Sequence, residues 1–268
     1  MNADARIVTK KRPEDFEKMT VAGACVAAIH AATREAAVPG TSMRDLDAIS
    51  AEVLREWNCR SSFLGYHGFP ATICASPNSV IVHGIPDGYK LREGDIVSID
   101  AGAIYEGWHG DAAYTAAVGA VPEEVTKLLE VTEQALWNGI AKSRHGARLG
   151  DVGYAIEETA HPHGYGVVRD YIGHGIGRNM HEAPNVPNYG KPGKGFKLKT
   201  GMAIAIEPMF NMGTDQSNVL EDGWTVVTAD GKLSAHFEHT VAITPDGPKV
   251  LTLPEPVLVG ETAPVLSS

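Results

Sequence analysis

The chain has 268 residues, 43% hydrophobic and 21% charged, enough to bury a sizeable core as one large domain or two small ones. Its formal net charge of −10 argues against general nucleic-acid binding, which needs a basic face against the phosphates, and the expected partners include no DNA. The first twenty residues mix charges without an apolar signal segment, and no later run of about 18 apolar residues suggests a membrane span, so a cytoplasmic location is expected.

The segment from Pro13 to Ala37 opens on proline and acids and carries Ala, Met, Val and Ile at helical spacing, which predicts a long amphipathic helix. Thr41 or Ser42 is placed to cap a second helix running to about Trp57. Residues 121–143 read as a third helix and 149–160 as a fourth. Short β-rich segments fall near 72–83, 95–118, 166–173, 202–210, 224–228 and 234–244, giving a mixed α/β chain. The proline-rich tail from Pro254 is expected to be loosely ordered. Cys25, Cys59 and Cys74 are odd in number and lack CxxC spacing, so they read as reduced thiols.

A faint internal repeat runs through this pattern. "LREGDIVSID" (91–100) aligns without gaps on "LKTGMAIAIE" (198–207), pairing Leu91 with Leu198, Gly94 with Gly201 and Asp100 with Glu207. The same offset places His67 on His174, and "MRDLDAI" (43–49) and "LGDVGYAI" (149–156) each open a helix at nearly the same distance. Two similar halves joined through one sheet are therefore expected, with Asp100 and Glu207 meeting near the pseudo-twofold axis.

The hairpin "VSIDAGAIYEGWHGDAAYTAAV" sets Asp100 and Asp111 into two apolar strands. A turn centred on "IYEG" would put them directly opposite each other, with Ser98 and Gly102 on the same face and Val97, Ile99 and Ala101 on the other. Like charges so placed need a shared proton, a basic side chain or a cation. Glu207 shares a face with Ala203 and Ala205, and Glu238 precedes an apolar strand. Four carboxylates in segments that otherwise want burial are too costly unless paired or metal-bound, and His174 supplies an imidazole. Two divalent cations would balance the four charges. Oxygen-rich ligation favours manganese, iron or cobalt, with zinc a further option.

The ordered set "VHGIP" (His83), "SIDAGA" (Asp100), "HGDAAYT" (Asp111), "GHGIG" (His174), "HEAP" (His181), "AIEPM" (Glu207) and "FEHTVAIT" (Glu238) closely resembles type I methionine aminopeptidases from about Pro13 to Leu251. The resemblance implies the pita-bread fold, two pseudo-symmetric α/β halves around a central antiparallel sheet with helices outside. It implies one catalytic domain over 13–253, divided at about 118/119, after a short N-terminal segment 1–12. The implied reaction is removal of the initiator methionine from nascent chains whose second residue is small.

Carried over by residue, the resemblance makes Asp100, Asp111, His174, Glu207 and Glu238 the metal ligands, with Asp111 and Glu238 bridging and Glu207 also the general base. His83 and His181 would steady the scissile amide and its tetrahedral intermediate while protons move. The implied methionine pocket is Tyr66, Phe69, Cys74 and Trp224 with His83 at its edge, and an aromatic slot suits an unbranched thioether. Phe69, Phe63 and Met180 depart from the commonest bacterial pattern, where tyrosine, cysteine and phenylalanine are usual. Asn78, Val80 and Ser234 resemble a monovalent-cation loop of some members.

Other features carry less. "GHGIG" is not followed by a helix, so it is no dinucleotide fingerprint, and "HEAP" is not HExxH. "HPHG" (161–164) reads as a surface turn, and "KPGKGFKLK" (191–199) as a solvated basic loop that could meet acidic partners or ribosomal RNA. The alternatives are an Xaa-Pro peptidase of the same fold, separable by Met-Ala against Xaa-Pro substrates, and a non-catalytic binding module, which need hold no metal. A monomer is expected.

Overall fold

The structure, a computed structural model, describes residues 8–260 and residue 262. Four helices, α1 (Pro13–Ala36), α2 (Met43–Glu56), α3 (Glu123–Lys142) and α4 (Leu149–Ala160), stand within a residue or two of their expected bounds. The starts of α1, α2 and α4 are fixed by capping. Ser42 accepts from Asp45 N–H while Asp45 accepts from Ser42 N–H, and Asp15 and Asp151 likewise accept from Arg12 N–H and Arg148 N–H.

The strands of the first half of the chain are β1 (Arg60–Ser61), β2 (Ile73–Pro77), β3 (Val80–Val82), β4 (Ile96–Tyr105) and β5 (Trp108–Ala117). Later come β6 (Gly166–Val167), β7 (Gly173–Gly175), β8 (Glu182–Val186), β9 (Ala203–Ile206), β10 (Met209–Asn211), β11 (Ser217–Val219) and β12 (Val226–Thr228). The last are β13 (Ser234–His236), β14 (Glu238–Thr244), β15 (Gly247–Val250) and β16 (Val257–Leu258). Ten of them form one antiparallel sheet with the path β1-β4-β5-β14-β9-β7-β8, β2 adding to β4 and β15 and β16 extending from β14. This is the architecture expected of the pita-bread fold. Two three-stranded sheets, β13-β10-β6 and β11-β12-β3, complete it.

The repeat has a geometric counterpart. Gly94 and Gly201 both take positive φ, at 89° and 92°, and β4 and β9 begin two residues after them at Ile96 and Ala203. Ser42 bridges to Lys90 just as Arg148 bridges to Lys197. In the α1 contact with β4 and β5, a Cβ on Gly110 would stand 2.8 Å from Gly23 N, so helix and strand backbones touch through a pair of glycines.

Three expectations change. The hairpin turns at Glu106 and Gly107, both at positive φ as a type I′ turn requires, so the register is displaced by two residues. Asp111 lies opposite Gly102 and Asp100 opposite Ala113; the two aspartates are diagonal rather than directly opposed. An even shift preserves facing, so they still share one side of the sheet. The expected loose tail is pinned where Val257–Leu258 pairs with β15, while residue 261 and residues 263–268 lie outside the described residues. His67, matched to His174 in the repeat, is an exposed residue of the short 3-10 turn Tyr66–Gly68.

Candidate metal centre

Five adjacent strands of the large sheet each deliver one group to a single hollow: Asp100 from β4, Asp111 from β5, Glu238 at the start of β14, Glu207 just beyond β9, and His174 from β7. Register explains the convergence. Ala113 pairs with Asp100 on one side and Glu238 on the other, and Cys74 pairs with Asp100 from β2, so a single row crosses the floor with a small residue at its middle. At Asp111 the β5–β14 ladder is continued by a side chain: Thr240 Oγ1 accepts from Asp111 N–H at 3.0 Å and donates to Asp111 O at 2.8 Å. Asn188 holds the other rim by donating to Glu207 O at 3.0 Å.

These carboxyls are held far from their ordinary ionisation. Burial, followed by repulsion from the neighbouring carboxylates, pushes Asp100 and Glu238 well up. Burial raises Asp111 to about 7, opposed by a hydrogen bond with Asp100, and burial with the Asp111 charge raises Glu207 to about 8. His174 is driven down to about 3 by burial, so it is a neutral imidazole. Its Nδ1–H donates to Gly175 O at 2.9 Å, which leaves the Nε2 lone pair 3.9 Å from Asp111 Oδ2 and 3.8 Å from Glu207 Oε1.

The donor set fits divalent metal on its own terms. Asp100 Oδ1, Asp111 Oδ1 and Glu238 Oε1 are buried without a hydrogen-bond partner, which is costly for an acceptor with nothing to accept from. One donor atom each from Asp111, His174 and Glu238 lie within 4.8 Å of one another. The sequence reading missed His236, whose neutral Nε2 stands 4.0 Å from both Glu207 Oε2 and Glu238 Oε2 and is also unpartnered. Its signal, a histidine two residues before Glu238 in a three-residue strand, is too weak to stand out in a sequence.

The hollow opens onto a cavity of about 140 Å³ whose other walls are Phe63, Tyr66, Phe69, Cys74, Met180 and Trp224, with His83 and His181 at its sides. All the expected pocket residues are therefore brought to the five candidate ligands, and the substituted positions Phe63 and Met180 also line it. Phe69 meets Trp224 edge-on at 5.1 Å between ring centres. His181 Nδ1 shares a 2.8 Å hydrogen bond with Tyr66 Oη, and its ring lies 4.2 Å from that of His174. His83, at φ 59°, packs edge-on to Tyr171 and Trp224, and burial lowers its pKa.

Apart from this centre, Asn78 and Ser234 are brought together, with Ser234 N–H donating to Asn78 O at 3.0 Å and Ser234 Oγ buried and unpartnered, while Val80 begins β3. "HPH" forms an exposed 3-10 turn, and residues 191–197 are exposed.

A model of metallopeptidase family M24 matches residues 17–245. The chain belongs to metallopeptidase family M24. As a family M24 member it binds divalent metal, and the buried acid cluster is the donor set that suits it. The chain is 51% identical over 255 residues to "Methionine aminopeptidase 1" of Mycobacterium tuberculosis, covering 92% of this chain and 96% of that one. It superposes on the crystal structure of methionine aminopeptidase from Thermotoga maritima with a TM-score of 0.91 at 44% identity, over 92% of this chain and all of the other. A prolidase from Pyrococcus furiosus is more distant, at 25% identity and a TM-score of 0.74, with 94% of this chain covering 67% of that one. This chain is thus much nearer to these two methionine aminopeptidases than to the prolidase. Among the described residues no helix is long and apolar enough to cross a membrane.

Proposed function

We propose that the chain is a type I methionine aminopeptidase that removes the N-terminal methionine from nascent polypeptides whose second residue is small. The observation that carries this reading is the junction of two chemistries in one enclosed space: a cluster of four buried carboxyls and an imidazole, opening onto an aromatic and thioether slot. Asp100, Asp111, His174, Glu207 and Glu238 would hold two divalent cations. The oxygen-rich set suits manganese, iron or cobalt, with zinc tolerated. When bound, such a pair supplies Lewis-acid polarisation and a water that ionises near neutral pH.

The chain's own groups do the rest. Phe63, Phe69, Cys74, Met180 and Trp224 enclose the methionine side chain, a soft, unbranched group matched to aromatic edges. Tyr66 donates to His181 Nδ1, which leaves His181 Nε2–H to donate to the substrate amide, and His83 closes the same side. Once its own proton has been displaced by bound cations, Glu207 would accept the proton of the attacking water and return it to the leaving amine. Asn78, Val80 and Ser234 would hold one monovalent cation. The exposed basic loop 191–199 is the segment suited to transient ribosome contact by a monomeric, cytoplasmic enzyme.

Release of methionine from Met-Ala-Ser is the test, with manganese, cobalt and iron added back after chelation and Glu207→Gln run in parallel. Metal-dependent turnover that falls by about 10³ or more in the variant is the expected result. Turnover on Xaa-Pro peptides alone would overturn the substrate, and no turnover with any metal would overturn the enzyme.

A further inference from the structure

Beside the metal centre lies a second, larger hollow of about 720 Å³, and the two share the wall formed by Tyr66, Met180 and His181. The rest of its lining differs in character. Arg60 on β1, Arg178 on the loop before His181, and His67 on the 3-10 turn face it, all three exposed. Among the described residues no acidic one lines it. The Arg178 guanidinium lies over the Trp108 ring, 4.7 Å from its centre, which fixes the charge in place.

The nearby acids are committed elsewhere. Asp15 feels Arg178 but is hydrogen-bonded to Arg12, and Glu182 is closed off by Lys11 and Thr9. Among the described residues neither Arg60 nor Arg178 has a carboxylate within ion-pair distance. Two guanidinium groups without carboxylate partners in a hollow of a chain with net charge −10 form a local feature opposite in sign to the whole.

We infer that this hollow receives the substrate chain beyond its second residue and selects an acidic side chain at the third or fourth position. The inference rests on the aminopeptidase reading of the adjoining site. A peptide whose first side chain fills the aromatic slot and whose first amide lies against the carboxyls can leave past Tyr66 and His181, the wall that both spaces share. Beyond it an extended chain advances about 3.3 Å per residue, so the third and fourth side chains are those within reach. Arginine's planar fork matches a carboxylate in two-point fashion, and Arg60 and Arg178 offer it from two different elements lining the hollow. The net negative charge opposes acidic peptides at long range, but at physiological salt that repulsion is screened beyond about 8 Å, whereas a contact of a few Å within the hollow survives there and is weakened only at higher salt.

The test compares kcat/KM for Met-Ala-Glu-Ser, Met-Ala-Gln-Ser and Met-Ala-Lys-Ser, and for the series with the varied residue fourth, using the metal-loaded enzyme at about 0.15 M salt. The glutamate peptide is expected to exceed the glutamine peptide by about two- to fivefold, chiefly through KM, with the lysine peptide lowest. The ratio should fall towards one in 0.5 M salt and separately in Arg60→Gln and Arg178→Gln; because it is taken within each enzyme, a general loss of activity in a variant does not mimic it. Equal rates for glutamate and glutamine at both positions, or a preference for lysine, would overturn the inference while leaving methionine release intact. Failure on every peptide, Met-Ala-Ser included, would instead overturn the underlying activity.

Discussion

Glu207 is held at about 8 by burial and the Asp111 charge, and Asp111 at about 7 by burial, so at neutral pH the metal-free centre keeps protons that bound cations must displace. Manganese binding is therefore expected to release more protons at pH 6.5 than at pH 8.5, and its affinity to fall as pH drops below about 7. Calorimetry in two buffers of different ionisation enthalpy reads this directly; a heat independent of buffer would mean that other groups hold the metal. Tyr66→Phe keeps the ring but removes the hydroxyl bonded to His181, a bond worth about 0.5–1.5 kcal/mol. A fall in kcat of about three- to tenfold with little change in KM is expected, and a change confined to KM would assign Tyr66 to the slot alone. Asp100 and Asp111 were legible because each interrupts an apolar strand, and Glu207 and Glu238 because each borders one, where a carboxylate needs an explanation; His174 stood out only as an imidazole to set beside them. His236 was not, because a lone histidine in a short strand needs none, and its role emerges only when β13 brings it beside Glu207 and Glu238.

Strand and helix packing set the precision of the centre, and two contacts invisible to local patterning control it. Lys11 and Glu182, 171 positions apart, form a buried 2.9 Å ion pair, and Glu182 also accepts from Thr9 and from Arg178 N–H, so the N-terminal segment clasps the loop that carries His181. Burial pushes the Glu182 carboxyl up, but hydrogen bonds from Thr9, Lys11 and the backbone outweigh it and hold it below the usual glutamate range. Lys11→Met strands that charge and is expected to cost about 3–5 kcal/mol in urea unfolding; a loss under about 1 kcal/mol would mean that the clasp is replaceable. Gly23→Ala would put a Cβ 2.1 Å from Leu251 O, backbone that cannot swing aside, so a lowered urea midpoint is expected where an exposed helical Gly→Ala change raises it. The helices were legible through their caps, whereas the hairpin register was not: Glu106–Gly107, not the centre of "IYEG", forms the turn, and only parity kept the two aspartates on one face.

At the scale of the molecule, strands from both ends of the sequence meet where β5 pairs with β14, and the candidate ligands straddle that seam: Asp100 and Asp111 on one side, Glu238, Glu207 and His174 on the other. This convergence was partly legible, since the repeat that pairs Asp100 with Glu207 also pairs Gly94 with Gly201, but the crossing of chain segments that builds the aromatic slot left no local trace. Cations held there would fasten the two sides, so their removal should weaken the whole fold in a pH-dependent way. In the metal-free protein the folded carboxyls ionise near 7 to 8 or higher and the unfolded ones near 4, so the folded state holds extra protons between those values. Buried histidines held near 3 to 4 favour folding as pH rises to about 6.5 and so oppose the carboxyls there. From about 6.5 towards 8 they are neutral in both states and the carboxyls make the stability of the chelated protein decline, the reverse of the usual carboxylate dependence. Metal that binds only the folded state stabilises it by about 2.7 kcal/mol at a hundredfold excess over Kd, and because Kd falls as the displaced protons become easier to lose, the gap in Tm between chelated protein and protein at one fixed manganese concentration should widen from pH 5.5 to pH 8. Thermal unfolding followed by circular dichroism across that range measures it. A gap of constant size would mean that binding displaces no protons, so that the buried carboxyls either do not hold the cation or are already ionised without one, and a gap that narrows would contradict the linkage outright.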